Sequence, residues 1–579
     1  MKKLRFFMVG AALTAMGVLA AAPLAAQETG SGGIIVEGNF GGDPATLNIV
    51  LASDTASQRV GSLLFPGFLA VDVTQAAIAP SSAPFARGAI VEDWTVSEDN
   101  TVYTFNLRED LTWNDGTPIT SADVLYTWRV AQAAAEGVVG AQIGFITEAI
   151  TNVEAPDDFT VVVTFNSPEC TALSYAGSLI PLPSHVLPED LSTLVDDPYN
   201  LAPTVTSGPF NFSQLRSGEL VALTANPEYF DATDGVVLPE GWIYRVVSDQ
   251  NVLVEQFFAG EVNVIDGPAV ARRAEFYAAQ EAGEKQVYSF PGNAWDYVGL
   301  NLADPNNPQN ALDADGNPID QGSHPIFGDV RVRQALALGI DVDSIIDAAV
   351  FGEGIRMNAS YVPASWAYDE DLAPIPFDPE AAAALLEEAG WVDADGDGVR
   401  EASGALHAED GTPLRFTMYS NEGNGRREAI GTLIQDQLAD IGVQVDFQTI
   451  DFNTLLDIMD SQTYDAFILG WRNGYPDDPD QTQLFSPTSD VVGGGSNNTS
   501  WNNPEWLELS EAAKNVPGCA TEERAEIYNQ MAEIFQQDLP YIPLFAINGL
   551  YAADDSVTGF GPYPSALYWN LDTWSLATP

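Results

Sequence analysis

The chain has 579 residues, 46% of them apolar, with 82 acidic and 22 basic side chains and a formal net charge of −60. That length gives room for two to four lobes, and the apolar share is that of a globular protein. A field of this sign repels nucleic acid and anionic lipid, and because net charge speaks to solubility before fold, adaptation to a saline or acidic habitat is the plainer reading of the acidity.

Lys2, Lys3 and Arg5 precede an apolar run from Phe6 to Leu19 and a small-residue segment from Ala20 to Ala26. This is the plan of a secretory signal peptide, and the run is too short to span a bilayer. Residues 1–26 are therefore excluded from fold reasoning. The remainder of the chain keeps 19 basic residues against 82 acidic, a net charge of −63, with Lys285 and Lys514 its only lysines. Thr29-Gly-Ser-Gly-Gly33 reads as a flexible leader, and Ile34-Ile35-Val36 starts a buried strand.

From Ile90 to Trp128 the pattern is strand, polar turn, strand, tight turn, helix. Tyr103, Phe105 and Leu107 alternate with Val102, Thr104 and Asn106, the period of a half-buried strand. Asp115-Gly116 marks a turn. Thr120-Ser-Ala-Asp123 has the spacing of a capping box, with Val124, Leu125 and Trp128 on one helix face. Farther on, Asp329 is placed to cap a helix whose Val332, Leu336 and Leu338 face a core. Asp378-Pro379-Glu380 opens another helix with an N-cap, an N1 proline and a first-turn acid, and Gly390 closes it. After Arg426 a helix carries Ile430, Leu433, Ile434, Leu438 and Ile441, and Val443, Val445 and Phe447 come next as a strand. Helix and strand in alternation indicate α/β lobes.

Little in the chain suggests bond-breaking chemistry. His185, His324 and His407 stand in unrelated contexts, and there is no H-E-x-x-H, G-x-S-x-G, Walker A or C-x-x-C motif. Cys170 and Cys519 are the two cysteines. Export permits a disulfide, but their distance in sequence favours two separate buried or partly buried thiols.

The 90–128 segment resembles, residue for residue, the signature of family-5 solute-binding proteins, which serve ABC importers. Further matches are Asp43-Pro-Ala-Thr-Leu-Asn48, Thr206-Ser-Gly-Pro-Phe210, Phe257-Phe-Ala-Gly-Glu-Val-Asn263, Asp329 to Asp341, and Asp378 to Trp391. The resemblance implies an α/β, two-lobed periplasmic-binding-protein fold (class II-like) with an additional inserted third lobe. It divides the chain into a first lobe at 27–75, 196–295 and 530–579, an inserted lobe at 76–195 and a second large lobe at 296–529. Leu24-Ala25-Ala26-Gln27 approaches a lipoprotein cleavage box but has Gln27 where the lipidated Cys would stand. An exported binding protein without lipid implies a periplasm. The implied function is capture of a peptide or similar polar solute for a membrane permease, with no catalysis and a monomeric chain. An oligosaccharide ligand is the alternative, and a secreted hydrolase the rival class.

The same resemblance places candidate ligand residues. Asp465 to Gly470 reads as a buried strand ending in Trp471-Arg-Asn-Gly-Tyr-Pro-Asp-Asp-Pro-Asp480, similar to a cleft-facing family loop. Peptide-binding members carry an Asp there for the ligand ammonium, where this chain has Gly474. Asp477 or Asp478 is the replacement on offer, beside Trp471 and Tyr475. Ser420 and Asn421 stand where some members hold a ligand carboxylate with Arg, and uncharged groups there suit a sugar. Asn39, Phe40, Trp295 and Tyr297 complete the candidates. Asp393, Asp395, Asp397 and Glu401 match calcium-loop positions, with Gly398 at the sharp turn, but the twelfth position is Gly404 rather than a bidentate Glu. A solvated acidic turn is the first reading and a structural calcium the alternative; no other cofactor is expected.

Overall fold

The computed structural model describes residues 32–576, apart from residues 41, 75–76, 84, 232–237 and 314. The signal-peptide segment lies outside the described residues. One eleven-stranded mixed sheet runs through the molecule. From one edge its order is Gln444–Ile450, Arg415–Asn421, Ala466–Arg472, Lys285–Leu300, Tyr541–Asp554, Val264–Asp266, Ile34–Phe40, Gly241–Val247, Leu220–Ala225 and Phe210–Arg216, with Gly354–Arg356 paired to Tyr541–Asp554 off this path.

The two longest strands, Lys285–Leu300 and Tyr541–Asp554, join the halves. They pair antiparallel from Lys285 opposite Asp554 to Phe290 opposite Gly549, break register, and resume from Ala294 opposite Ile547 to Gly299 opposite Tyr541. The break leaves Pro291, Gly292 and Asn293 outside the regular ladder. A Cβ on Gly292 would lie 2.0 Å from the Ile547 carbonyl oxygen, and one on Gly549 would meet the Phe290 ring at 2.3 Å. Both positions require glycine because the backbones and ring approach so closely.

The capping and patterning expectations are met at the level of single bonds. The Asp329 side chain accepts from the Arg331 amide at 3.0 Å and that of Asp378 from the Ala381 amide at 2.9 Å. Val332, Leu336, Ile430, Ile434 and Leu438 lie in one core with Val443 and Val445. The helix Pro379–Glu388 ends at Ala389, with Gly390 at φ +87° behind it. In the inserted segment a separate antiparallel sheet runs Val91–Val96, Val102–Leu107, Thr160–Phe165, Ile150–Asp157. Tyr103, Phe105 and Leu107 are buried there. Asp123 accepts from the Thr120 amide at 3.0 Å and from the Trp113 indole at 3.2 Å through one carboxylate oxygen, so the capping acid also anchors the preceding turn.

The cysteines correct the expectation of separate thiols. Cys170 and Cys519 form a disulfide, with Cα atoms 5.3 Å apart across a sequence separation of 349. Cys170 comes after the last strand of the inserted sheet. Cys519 sits between the helices Pro504–Lys514 and Thr521–Asp538 of the second lobe. The Cys170 amide also donates to the Lys514 carbonyl at 2.7 Å. The tertiary path, which linear distance does not register, brings the thiols together.

Candidate functional site

A cavity of about 500 Å³ opens where the halves meet. Tyr288 and Asn293 reach it from the crossing strand, Val73 and Thr74 from the first-lobe side, and Tyr563, Pro564 and Ser565 from the C-terminal segment. The second lobe supplies Val362, Ala364, Ser365 and Trp366 from one loop and Gly474, Tyr475 and Asp477 from another. A few polar groups among aromatic and aliphatic walls is the composition of a small-molecule site, and the volume falls in the usual range. A larger open groove of about 1110 Å³ lies on the inserted lobe, lined by Glu92, Asp93, Glu109, Asp110, Asp157 and Asp158 among others, and shares no residue with this cavity. The interlobe cavity is the better candidate because both halves and the crossing strand wall it.

The 471–480 loop is held at Asn473 and at Tyr475. Asn473 pairs with Asn293 of the crossing strand Lys285–Leu300: the Asn473 amide donates to the Asn293 carbonyl at 2.9 Å, and Asn293 Nδ2 returns a bond to the Asn473 carbonyl at 2.6 Å. The Tyr475 hydroxyl donates to the Val73 carbonyl at 3.4 Å, so this loop touches the opposite wall. Burial, then the Asp72 carboxylate, pushes the Tyr475 hydroxyl up to about 12, so it stays a proton donor at neutral pH.

Asp477 is the one carboxylate among the described lining residues. One oxygen accepts from the Ser365 hydroxyl and the other from Asn473 Nδ2, the latter at 3.1 Å. The Trp366 indole donates to the Asp477 carbonyl at 3.3 Å. Burial raises the Asp477 pKa against the pull of those two side-chain bonds. Neutral donors hold the carboxylate without cancelling its charge, which leaves it suited to a cationic group.

The other candidates fall elsewhere. Asp478 is not among the lining residues; burial, then the neighbouring Asp480 carboxylate, pushes its carboxyl up to about 6, with Arg524 pulling the other way. Asp480 accepts from the Thr482 hydroxyl at 2.5 Å. Trp471 stacks on Tyr297 with ring centroids 6.4 Å apart, and Tyr297 stacks on Tyr541 at 4.0 Å. Trp295 and Tyr297 are each 1% exposed. Both are buried in one aromatic cluster, and neither is among the cavity-lining residues, so the alternation serves a core. Asn39 and Phe40 end the first strand opposite Val246 and Val247. Asn421 accepts from Arg427 Nη1 at 2.9 Å, and the buried Ser420 hydroxyl donates to the Ile468 carbonyl at 3.0 Å. No motif marks Val73, Thr74, Ser365, Trp366 and Tyr563, which reach the cavity from distant segments and escape a reading of the sequence.

Asp393, Asp395, Asp397 and Glu401 do converge, with one oxygen from each within 4.8 Å of the others. The cluster is largely exposed, and its oxygens accept turn amides, as from Gly396 to Asp393 at 2.7 Å and from Ala394 to Glu401 at 3.0 Å. None of the four lines the cavity. The histidines are dispersed: His185 Nε2 lies 2.8 Å from Asp115, and the buried His324 accepts the Ile326 and Phe327 amides through Nδ1 at 3.1 Å.

Similarity to known proteins extends over most of the chain. The sequence profile of the bacterial extracellular solute-binding proteins, family 5 (middle region), matches residues 86–492. The oligopeptide-binding protein AppA of Bacillus subtilis is 26% identical over 552 residues, 94% of this chain and 92% of its own length. A dipeptide-binding protein of Pseudomonas aeruginosa is 23% identical over 89% of this chain and 92% of its own. Among solved structures, AppA from Bacillus subtilis in complex with a nonapeptide superposes with a TM-score of 0.73 at 25% identity, covering 94% of this chain and 99% of that one. No helix among the described residues is long and apolar enough to cross a membrane.

Proposed function

This chain belongs to the bacterial extracellular solute-binding proteins of family 5, and we propose that it is the periplasmic binding component of an ABC importer, capturing a peptide or similar polar solute between its lobes. The observation that carries the reading is the interlobe cavity, walled by both halves and by the crossing strand at its register break. Rotation about residues 291–293 and 547–549 closes the lobes on the ligand, and the closed form docks on the permease. Binding draws on enclosure and pre-placed hydrogen bonds, and the solute is handed on intact.

Relatives named for oligopeptides and dipeptides favour a peptide over an oligosaccharide. The local basis for a sugar also weakens, because Ser420 and Asn421 engage their side chains in internal bonds. In place of the acid missing at Gly474, Asp477 supplies a carboxylate for the ligand ammonium. A hydrolase working through acidic residues needs a pair of carboxylates at the reacting bond, and one carboxylate faces the cavity among the described residues. We assign the chain no catalysis and a monomeric working form, and the 393–401 turn no part in capture. If calcium binds there, its role is structural.

Isothermal titration of the purified chain tests this. A short free-amine peptide is expected to bind one to one, its N-acetylated form about tenfold to a hundredfold more weakly, the cost of one charge-assisted bond, and a neutral oligosaccharide not at all. Tight oligosaccharide binding without peptide binding would overturn the ligand assignment.

A further inference from the structure

The charges around the interlobe cavity are one-sided. Asp477 lines it, and no lysine, arginine or histidine does, although every such residue after the leader lies among the described ones. A second carboxylate stands behind the first-lobe wall: Asp72 accepts from the lining Thr74, from its amide at 2.9 Å and from its hydroxyl at 2.6 Å. Arg524 touches a lining ring from outside, its guanidinium 5.0 Å from the centre of the Trp366 ring. It is buried, donates to the Ala513 carbonyl at 3.0 Å and to the Tyr528 hydroxyl at 3.3 Å, and does not line the cavity.

Much of the remaining wall is aromatic. Tyr288, Trp366, Tyr475 and Tyr563 all line the cavity. Three of these rings are backed by another ring: Tyr288 by Phe290 at 5.7 Å between centroids, Trp366 by Tyr528 at 5.5 Å and Tyr563 by Trp569 at 5.2 Å. Tyr475 is held by its hydroxyl on the Val73 carbonyl. Rings packed in this way are fixed before a ligand arrives. A cation over the face of a Trp or Tyr ring is attracted by its quadrupole, and an anion there is repelled. A carboxylate drawn into the cavity would also lose its water without meeting a cation.

We propose that the cavity selects a ligand of net positive charge: an ammonium held by the Asp477 carboxylate and the surrounding rings, on a body that brings no carboxylate inside. This deepens the peptide reading above and rests on it. The cargo narrows from a zwitterion to a cationic peptide or amine, two sources of one chemistry. The net charge of −63 after the leader draws in the same class of ligand from a distance.

The test is calorimetry on the full chain with four small ligands: a dipeptide with neutral side chains, its C-terminal amide, the N-acetylated amide, and phenethylamine. The amide is expected to bind about tenfold more tightly than the free acid, the repulsion of two like charges about 10 Å apart at an effective dielectric constant of about 20. It should exceed its N-acetylated form by about tenfold to a hundredfold. Tyr563→Leu should cut that second ratio by about threefold to tenfold, and Tyr563→Phe, which keeps the ring, should restore it. A free acid that binds as tightly as its amide, or more tightly, overturns the charge selection and leaves the peptide reading standing. An unchanged amide-to-acetyl ratio in a folded Tyr563→Leu protein also overturns the proposal, and the wild-type acid-to-amide ratio decides alone if the variant does not fold. Phenethylamine binding at the affinity of the amide supports the proposal with an amine as cargo; binding of the amide alone supports it with a peptide. If none of the four binds, the peptide reading fails separately. The species released from purified protein then decides: one of net positive charge at neutral pH supports the selection, and a zwitterionic, neutral or anionic one rejects it.

Discussion

Changing Cys170 and Cys519 together to serine removes the covalent tie between the segment after the strand Thr160–Phe165 and the helices Pro504–Lys514 and Thr521–Asp538. The effect has two parts. For a sequence separation of 349, the chain-entropy relation gives about 6 kcal/mol, above the usual measured ceiling of about 5, so a loss of about 2–5 kcal/mol in unfolding free energy is expected. The second part is mechanical. The crossing strands meet at residues 290–294 and 547–549, whereas the disulfide joins segments outside those strands, so it restrains the halves from swinging apart. Small-angle scattering of the ligand-free chain should show a larger radius of gyration for the double variant than for the oxidised wild type, and stopped-flow exchange should show faster ligand release. Reduced wild-type protein should behave like the variant. If the radius and the release rate are the same with and without the bond while unfolding shifts as expected, the disulfide stabilises the lobes but does not limit their motion, and the mechanical reasoning is refuted.

Single residues give further expectations. Asp477→Asn should weaken a free-amine peptide by about tenfold to a hundredfold and leave its N-acetylated form little changed; an equal loss for both, read by calorimetry, would remove Asp477 from the ammonium site. Asp478, pushed up to about 6, holds its proton in the folded chain between about pH 4 and 6, where the unfolded chain has lost it. Stability is therefore favoured below that window and falls as pH rises through it. Asp478→Asn should flatten the fall and stabilise the neutral-pH protein by about 1–3 kcal/mol, as read from denaturant unfolding at pH 4 and pH 7. Gly292→Ala drives a Cβ into the Ile547 carbonyl and should cost about 1–3 kcal/mol, with an altered scattering change on ligand addition; an unchanged melting temperature would argue against a tight crossing. Calcium at about 1 mM, the affinity range of weak extracellular loops, should leave Tm unmoved, because the 393–401 oxygens already accept turn amides and Gly404 replaces the bidentate ligand; a rise in Tm abolished by Asp395→Asn would establish a calcium site.

Local features are legible in the sequence, and features made by the tertiary path are not. Caps at Asp123, Asp329 and Asp378 are set by bonds within three residues, so their motifs carry through to the fold. The 471–480 loop is legible as cleft-facing, and Tyr475 and Asp477 do reach the cavity. Trp295 and Tyr297 are ambiguous because an aromatic alternation looks the same on a strand face beside a ligand and on one covered by a core; burial of both rings in one aromatic cluster decides for the core. Ser365 and Trp366 meet Asp477 only through the tertiary path, as do Cys170 and Cys519.

Enclosure of an intact small molecule by two hinged halves is best examined by native mass spectrometry of gently purified protein, with release and identification of the bound species. One small polar solute per chain is expected, recovered with the same mass after prolonged incubation with fresh protein. A solute converted to products, or ligand-loaded protein whose cavity residues Asp477 and Tyr475 stay unprotected in footprinting, would be incompatible with a binding protein that closes on its cargo.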